Sequence, residues 1–184
     1  CALTVASLAM TFFNTLPASV ARWTGRRLGN LIWCLDRKHR RQILQHMNLA
    51  FRDEKTCSEK TRLCYRYFEH MGLAVVEFAR MKRLTKENVD ELVDLSALKL
   101  FDEQLARGKG LLCVPAHHGN WELCGYAVAL KGYPLKSVAR PLDNPLLNEM
   151  INKYRERSGN VIIEKWKVLW KLKKLIDKGG IVTI

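Results

Sequence analysis

The sequence predicts an α/β fold, a mostly parallel sheet with helices on both faces, preceded by a helical region. Two observations carry this. From about Asp90 onward, short apolar runs alternate with segments of helical period, the pattern of strand–helix units around a parallel sheet. Before that point the apolar spacing is helical throughout, without a strand-like run.

The elements follow in order. "CALTVASLAMTFF" is uncharged; as a helix it reaches roughly 20 Å, short of a hydrocarbon core of about 30 Å. It reads as the end of a truncated transmembrane helix or as a monotopic anchor. A core helix and a signal peptide, with "LPASVA" as cleavage site, are the competing readings. Pro17 opens a second helix with Trp23, Leu28, Leu31, Ile32 and Leu35 on one side, and Gly25 and Gly29 spaced for close packing. Arg22, Arg26 and Arg27 would hold that side in the cytoplasm. "DRKHRRQILQHMNLAF" is a third helix; its basic run reads as lipid-phosphate contact or as a solvated face. A long helix then runs to about Lys82 with Ser58 as its N-cap. Leu63, Tyr67, Met71, Leu73, Val75 and Phe78 supply most of its apolar surface. This divides the chain into a membrane-associating helical region, 1–82, and an α/β core, 83–184.

In the core, "NVDELVDL" reads as a strand and "SALKLFDEQLARGKG" as a helix capped by Ser96. "GLLCVP" reads as a strand covered on both faces. A helix from Trp121 to Lys131, strand "LKSVAR", helix "NPLLNEMINKYRERSG", strand "NVIIE", helix "KWKVLWKLKKLIDKGG" and strand "IVTI" complete the series. The first residue is Cys and the last segment stops in a strand, so the sequence reads as a fragment cut at both ends.

The chain has 184 residues, 48% hydrophobic and 27% charged, with net charge +13. Such composition is globular, and the charge favours an anionic partner, whether nucleic acid, membrane surface or acidic carrier. Nucleic acid fits least: neither the aromatic-plus-basic pattern of RNA modules nor a helix-turn-helix signature is present. The six cysteines, Cys1, Cys34, Cys57, Cys64, Cys113 and Cys124, form no C-x-x-C pair and no zinc spacing. They read as buried, reduced thiols.

The chemistry concentrates in "VPAHHGNWELC", residues 114–124. Ligands of open α/β sheets bind beyond the carboxyl ends of strands, and this segment follows one. His117 and Glu122 are not on one face of a helix at their spacing. They meet if His117 lies in the turn before the helix, Gly119 folds the chain back, and Glu122 sits in the first helical turn. A carboxylate on one ring nitrogen then leaves the other to take a proton from a weak nucleophile. The loop offers no serine nucleophile, so direct attack by a substrate hydroxyl fits best. His118 lines the pocket or faces solvent. A capped helix start is the plain structural alternative, and a metal-dependent hydrolase with His117, His118 and Glu122 as ligands is another, as is a non-catalytic basic module.

"HHGNWE" resembles the H-F-G-N-W-E signature of the bacterial lipid A biosynthesis acyltransferases, the lauroyl and myristoyl transferases, within the H-x4-D/E glycerolipid acyltransferase-like group. "SVARPLDNPLLNEMINKYRERSG" is similar to that family's second block, and "LPASVARWTGRRLGNLIW" and "HRRQILQHMNLAF" to its N-terminal segments. The resemblance runs from about Leu16 to Ile184. It implies acyl transfer from acyl carrier protein, or coenzyme A, to a hydroxyl of an anionic glycolipid such as a lipid A precursor. The site would lie on the cytoplasmic side of the bacterial inner membrane. It implies His117 as base, Glu122 as its acidic partner, and Arg140, Asn120, Gly119 and His118 in substrate binding, without metal or other cofactor. His118 departs from the family's usual Phe. "KWKVLWKLKKL" reads as a sheet-covering helix with a solvated lysine face, or as a headgroup-docking segment.

Overall fold

The computed structural model describes residues 2–166 and 168–184. Cys1, one of the six expected thiols, and Lys167, in the late basic stretch, lie outside the described residues. The chain divides into two units, residues 10–79 and residues 80–184 together with the start of the first helix.

The helices of the first part are α1 (Ala2–Thr15), α2 (Ala18–Leu35), α3 (Arg37–Phe51) and α4 (Cys57–Arg80). Pro17 precedes α2, where its missing N–H costs nothing. The buried stripe of α2 is Ala21, Gly25 and Gly29, and that of α4 is Lys60, Cys64, Phe68, Gly72, Val76 and Ala79. The two backbones touch through these small residues: a Cβ on Gly25 would lie 3.0 Å from the Gly72 carbonyl oxygen. Several of the large apolar residues at helical spacing point elsewhere. Trp23, Leu31, Leu35, Tyr67 and Val75 are exposed, because the seam selects side chains small enough for close approach. Trp33 sits edge-on to Tyr65 and Phe68, 5.7 and 5.6 Å between centroids. Arg40 of the basic run lies over the same indole, 4.9 Å away, and donates to the Trp33 carbonyl. It is thus committed to packing rather than free for phosphate. The start of α4 is capped by Thr56, not Ser58. Glu59 accepts from the Thr56 N–H at 2.7 Å, and the Thr56 hydroxyl accepts from the Glu59 N–H at 3.3 Å, a reciprocal box. No helix of the described residues is long and apolar enough to cross a membrane.

The second part holds α5 (Leu98–Leu105), β1 (Leu111–Cys113), α6 (Trp121–Leu130), β2 (Leu135–Ala139), α7 (Pro145–Glu156), β3 (Val161–Glu164), α8 (Leu169–Asp177) and β4 (Ile181–Thr183). All pairs are parallel, in the order β1-β4-β2-β3. The first two crossovers run the same way across the sheet and the third runs back. Right-handed connections then place α6 and α7 on one face and α8 on the other. The packing agrees. Ile181, Leu135 and Val128 of α6 form one cluster; Val182, Ile163 and Leu172 of α8 form a second. Neighbouring residues of one strand point to opposite faces, so Ile181 and Val182 separate the two cores.

Three local expectations are corrected. Residues 88–95 are not a strand but a 3-10 turn, Val89–Glu91, and irregular chain. Asn88 accepts from the Thr85 N–H and Asp94 from the Ser96 N–H, both at 2.9 Å; short polar side chains here satisfy the backbone locally instead of a ladder. That commitment also removes Ser96 as a cap, and Ala97 precedes α5. β1 is an edge of the described sheet, with Leu112 exposed, rather than a strand covered on both faces. Of the thiols, Cys64 is buried and Cys113 half-buried, but Cys34, Cys57 and Cys124 are exposed.

Candidate active site

β1 ends at Cys113, and the chain runs through residues 114–120 into α6. Gly119 has φ +61° with open space around it, so a left-handed turn, not crowding, requires glycine here. Asn120 then caps α6: its side chain accepts from the Leu123 N–H at 3.1 Å. This turn sets His117 before the helix and Glu122 in its first turn.

A cavity of about 520 Å³ opens at this end of the sheet, and both His117 and Glu122 line it. The register explains its base. Cys113 pairs with Thr183, Thr183 with Ser137, and Ser137 with Ile162. This single row across all four strands lies on the α6 face, and all four residues line the cavity. Tyr126 and Gly125 from α6 and Phe101 from α5 add further surface, and the lining is mostly apolar. Burial pushes the Cys113 and Cys124 thiols and the Tyr126 phenol above their ordinary values. The two thiols therefore stay protonated near neutrality and are poor nucleophiles. Cys124, an exposed thiol, lines this cavity.

Glu122 is held bidentately by Arg155 of α7. Nε donates to Oε2 at 2.9 Å and Nη2 to Oε1 at 2.5 Å, and each side chain is only 24% exposed. Arg155 also donates to Asn152 at 3.2 Å. No hydrogen bond joins Glu122 to His117 among the described residues; the His117 ring instead lies 5.2 Å from that of Trp121, tilted by 53°. Arg155 is the residue that sequence reasoning leaves without a role. Its signal is the late arginine of "NKYRERSG", but no spacing rule ties α7 to the start of α6.

The remaining expected residues are placed as follows. His118 is exposed and lines the cavity. Arg140 does not line it; it points to solvent, 72% exposed, 3.6 Å from Asp143. The Glu149 carboxylate pairs with Lys153. Among the described residues no three His, Cys, Asp or Glu side chains form a cluster that could hold a metal ion, so His117, His118 and Glu122 are not arranged as a ligand set.

The sequence model of the bacterial lipid A biosynthesis acyltransferase family matches residues 3–184. The chain belongs to this family of enzymes. A comparison with curated proteins found no match. The family implies an acyl donor and a lipid A precursor as acceptor.

Proposed function

We propose that this chain transfers a fatty acyl group from acyl carrier protein to a hydroxyl of a lipid A precursor, with His117 as general base. The observation that carries the reading is the shared cavity. It brings an imidazole and a half-buried carboxylate to the carboxyl end of a parallel sheet, beside a mostly apolar lining. Its volume falls in the range of about 300–1,000 Å³ usual for ligand pockets, and its lining suits an acyl chain.

In the proposed step the free nitrogen of His117 takes the proton of the acceptor hydroxyl. The oxygen attacks the thioester carbonyl, the C–S bond breaks, and the imidazolium returns its proton to the departing thiol. Glu122 orients the imidazole. A carboxylate has about four acceptor positions, and the two bonds from Arg155 leave room for a third from His117. Gly119 and Asn120 shape the loop, and His118 borders the cavity as a donor to substrate. Arg140, exposed just past β2, is assigned to acceptor phosphate, which would compete with Asp143 for it. The carrier protein is acidic, which the net charge of +13 favours; a coenzyme A thioester is the alternative donor. The helical part, residues 1–82, would associate with the inner membrane, leaving the core, 83–184, on the cytoplasmic side.

The test is His117→Ala. Acyl transfer should fall by roughly 10²–10⁴. His117 is exposed, so thermal stability should stay within about 0.5 kcal/mol. Turnover at the wild-type rate would exclude His117 as the base. Mass spectrometry of lipids made in a host without its own late acyltransferases would identify acceptor and chain length together.

A further inference from the structure

The face of α8 that the sheet leaves uncovered is unusual for a helix this short. Leu172, Leu175 and Ile176 form its inner stripe, with Leu172 packed on Ile163 and Val182. At 100° per residue Trp170 falls on the opposite side. It is 83% exposed, the adjacent Leu169 80%, and Trp166 in the preceding turn 67%. Lysines surround them. Lys165 lies over the Trp166 ring at 5.0 Å, Lys173 pairs with Asp177 at 2.6 Å, and Lys171 and Lys174 are exposed with no acidic partner among the described residues. A helix that only covers a sheet needs no indole on its outer side, and Leu169, in register with the inner stripe, is left bare at the first turn.

We propose that Trp166, Leu169 and Trp170, ringed by these lysines, form a docking surface for an anionic bilayer. Indoles seat at the headgroup level, the leucine reaches the acyl boundary, and long lysine stems let their ammonium groups meet lipid phosphates. Charge complementarity selects this occupant: unpaired lysines repel a second copy of the same face. An acidic carrier protein would use the lysines but has no need of a bare indole at the crest of the helix. The surface is independent of the acyl-transfer reading, since binding to lipid needs neither donor nor acceptor.

The experiment measures co-sedimentation of the whole chain with vesicles of phosphatidylglycerol and phosphatidylcholine in equal parts, and of phosphatidylcholine alone. Leu169→Ser with Trp170→Ser should weaken binding to the anionic vesicles by roughly tenfold. Lys171→Glu with Lys174→Glu should weaken it by at least as much, and should leave binding to the neutral vesicles unchanged. The four side chains are exposed, so far-UV circular dichroism should match wild type. Wild-type vesicle affinity in both double variants would overturn the proposal. So would a change confined to self-association or to binding of acyl carrier protein.

Discussion

Arg155 grips both oxygens of Glu122, and so joins the head of α6 to the last turn of α7, with both side chains lining the cavity. The guanidinium fork matches a carboxylate in a way an ammonium cannot. Arg155→Lys should therefore keep the charge but release the orientation of Glu122. Acyl transfer should drop by tenfold or more, chiefly in kcat, while Arg155→Ala should also lower stability by about 1.5–3 kcal/mol, as for hydrogen bonds to charged groups. Steady-state kinetics with thermal unfolding of the two variants separates the effects. Equal kinetics for Lys and Arg would show that the fork plays no part.

Gly29 is the tighter of the two α2 glycines on the α2–α4 seam. A Cβ there would fall inside contact distance of the Phe68 carbonyl and lie 2.7 Å from the Glu69 Cα. Backbone atoms cannot swing aside, so Gly29→Ala should cost roughly 1–3 kcal/mol or more by overpacking. Gly25→Ala, whose nearest atom would be 3.0 Å away, should cost less. Chemical denaturation of both variants gives the order, and a reversed order would mean that the seam is not what limits them.

Asn160 is buried and serves two elements. Its Oδ1 accepts from the Leu135 N–H at 2.8 Å, and its Nδ2 donates to the Gly125 carbonyl at 3.0 Å. Asn160→Ala should cost about 1–3 kcal/mol by stranding both backbone groups. Asn160→Asp keeps the acceptor, loses the donor and buries a charge, so it should be no better. Differential scanning calorimetry reads both, and a near-neutral Asp variant would contradict the assigned donor.

The capping box of α4 carries a pH signature. The hydrogen bond from the Thr56 N–H, then that from its hydroxyl, hold the Glu59 carboxyl below its ordinary value of 4.5. A depressed folded value means the contribution is present above the unfolded value and is lost as pH falls through the folded one. The cap should therefore weaken only below about pH 4.5, from the α4 start inward. Hydrogen exchange at residues 57–60 should rise in that range for wild type, whereas Glu59→Gln should show no such step.

The alternation of strands and helices was legible because each buried strand needs a continuous apolar run and each covering helix a stripe. The loop of His117 and Glu122 was legible for a different reason: Gly119 and Asn120 are the residue types a left-handed turn and a helix cap demand. What escaped was set by contacts far apart in the chain. The partner of Glu122 is 33 positions away, and no local pattern announces it. The segment 88–95 alternates like a strand, yet Asn88 and Asp94 satisfy their own backbone first. The large residues of α2 obey helical spacing but lose the seam to glycines, since apolar period identifies a stripe without saying how close its neighbour comes.

The strand order has a consequence for the site. β4 follows the other three described strands in the chain but lies between β1 and β2, so β1 joins the rest of the described sheet only through it. The base of the cavity is then completed by Thr183 alone, the link between Cys113 and Ser137. Any opening that detaches β4 therefore splits this row in two, leaving Cys113 on one side and the Ser137–Ile162 pair on the other, with no floor shared between them.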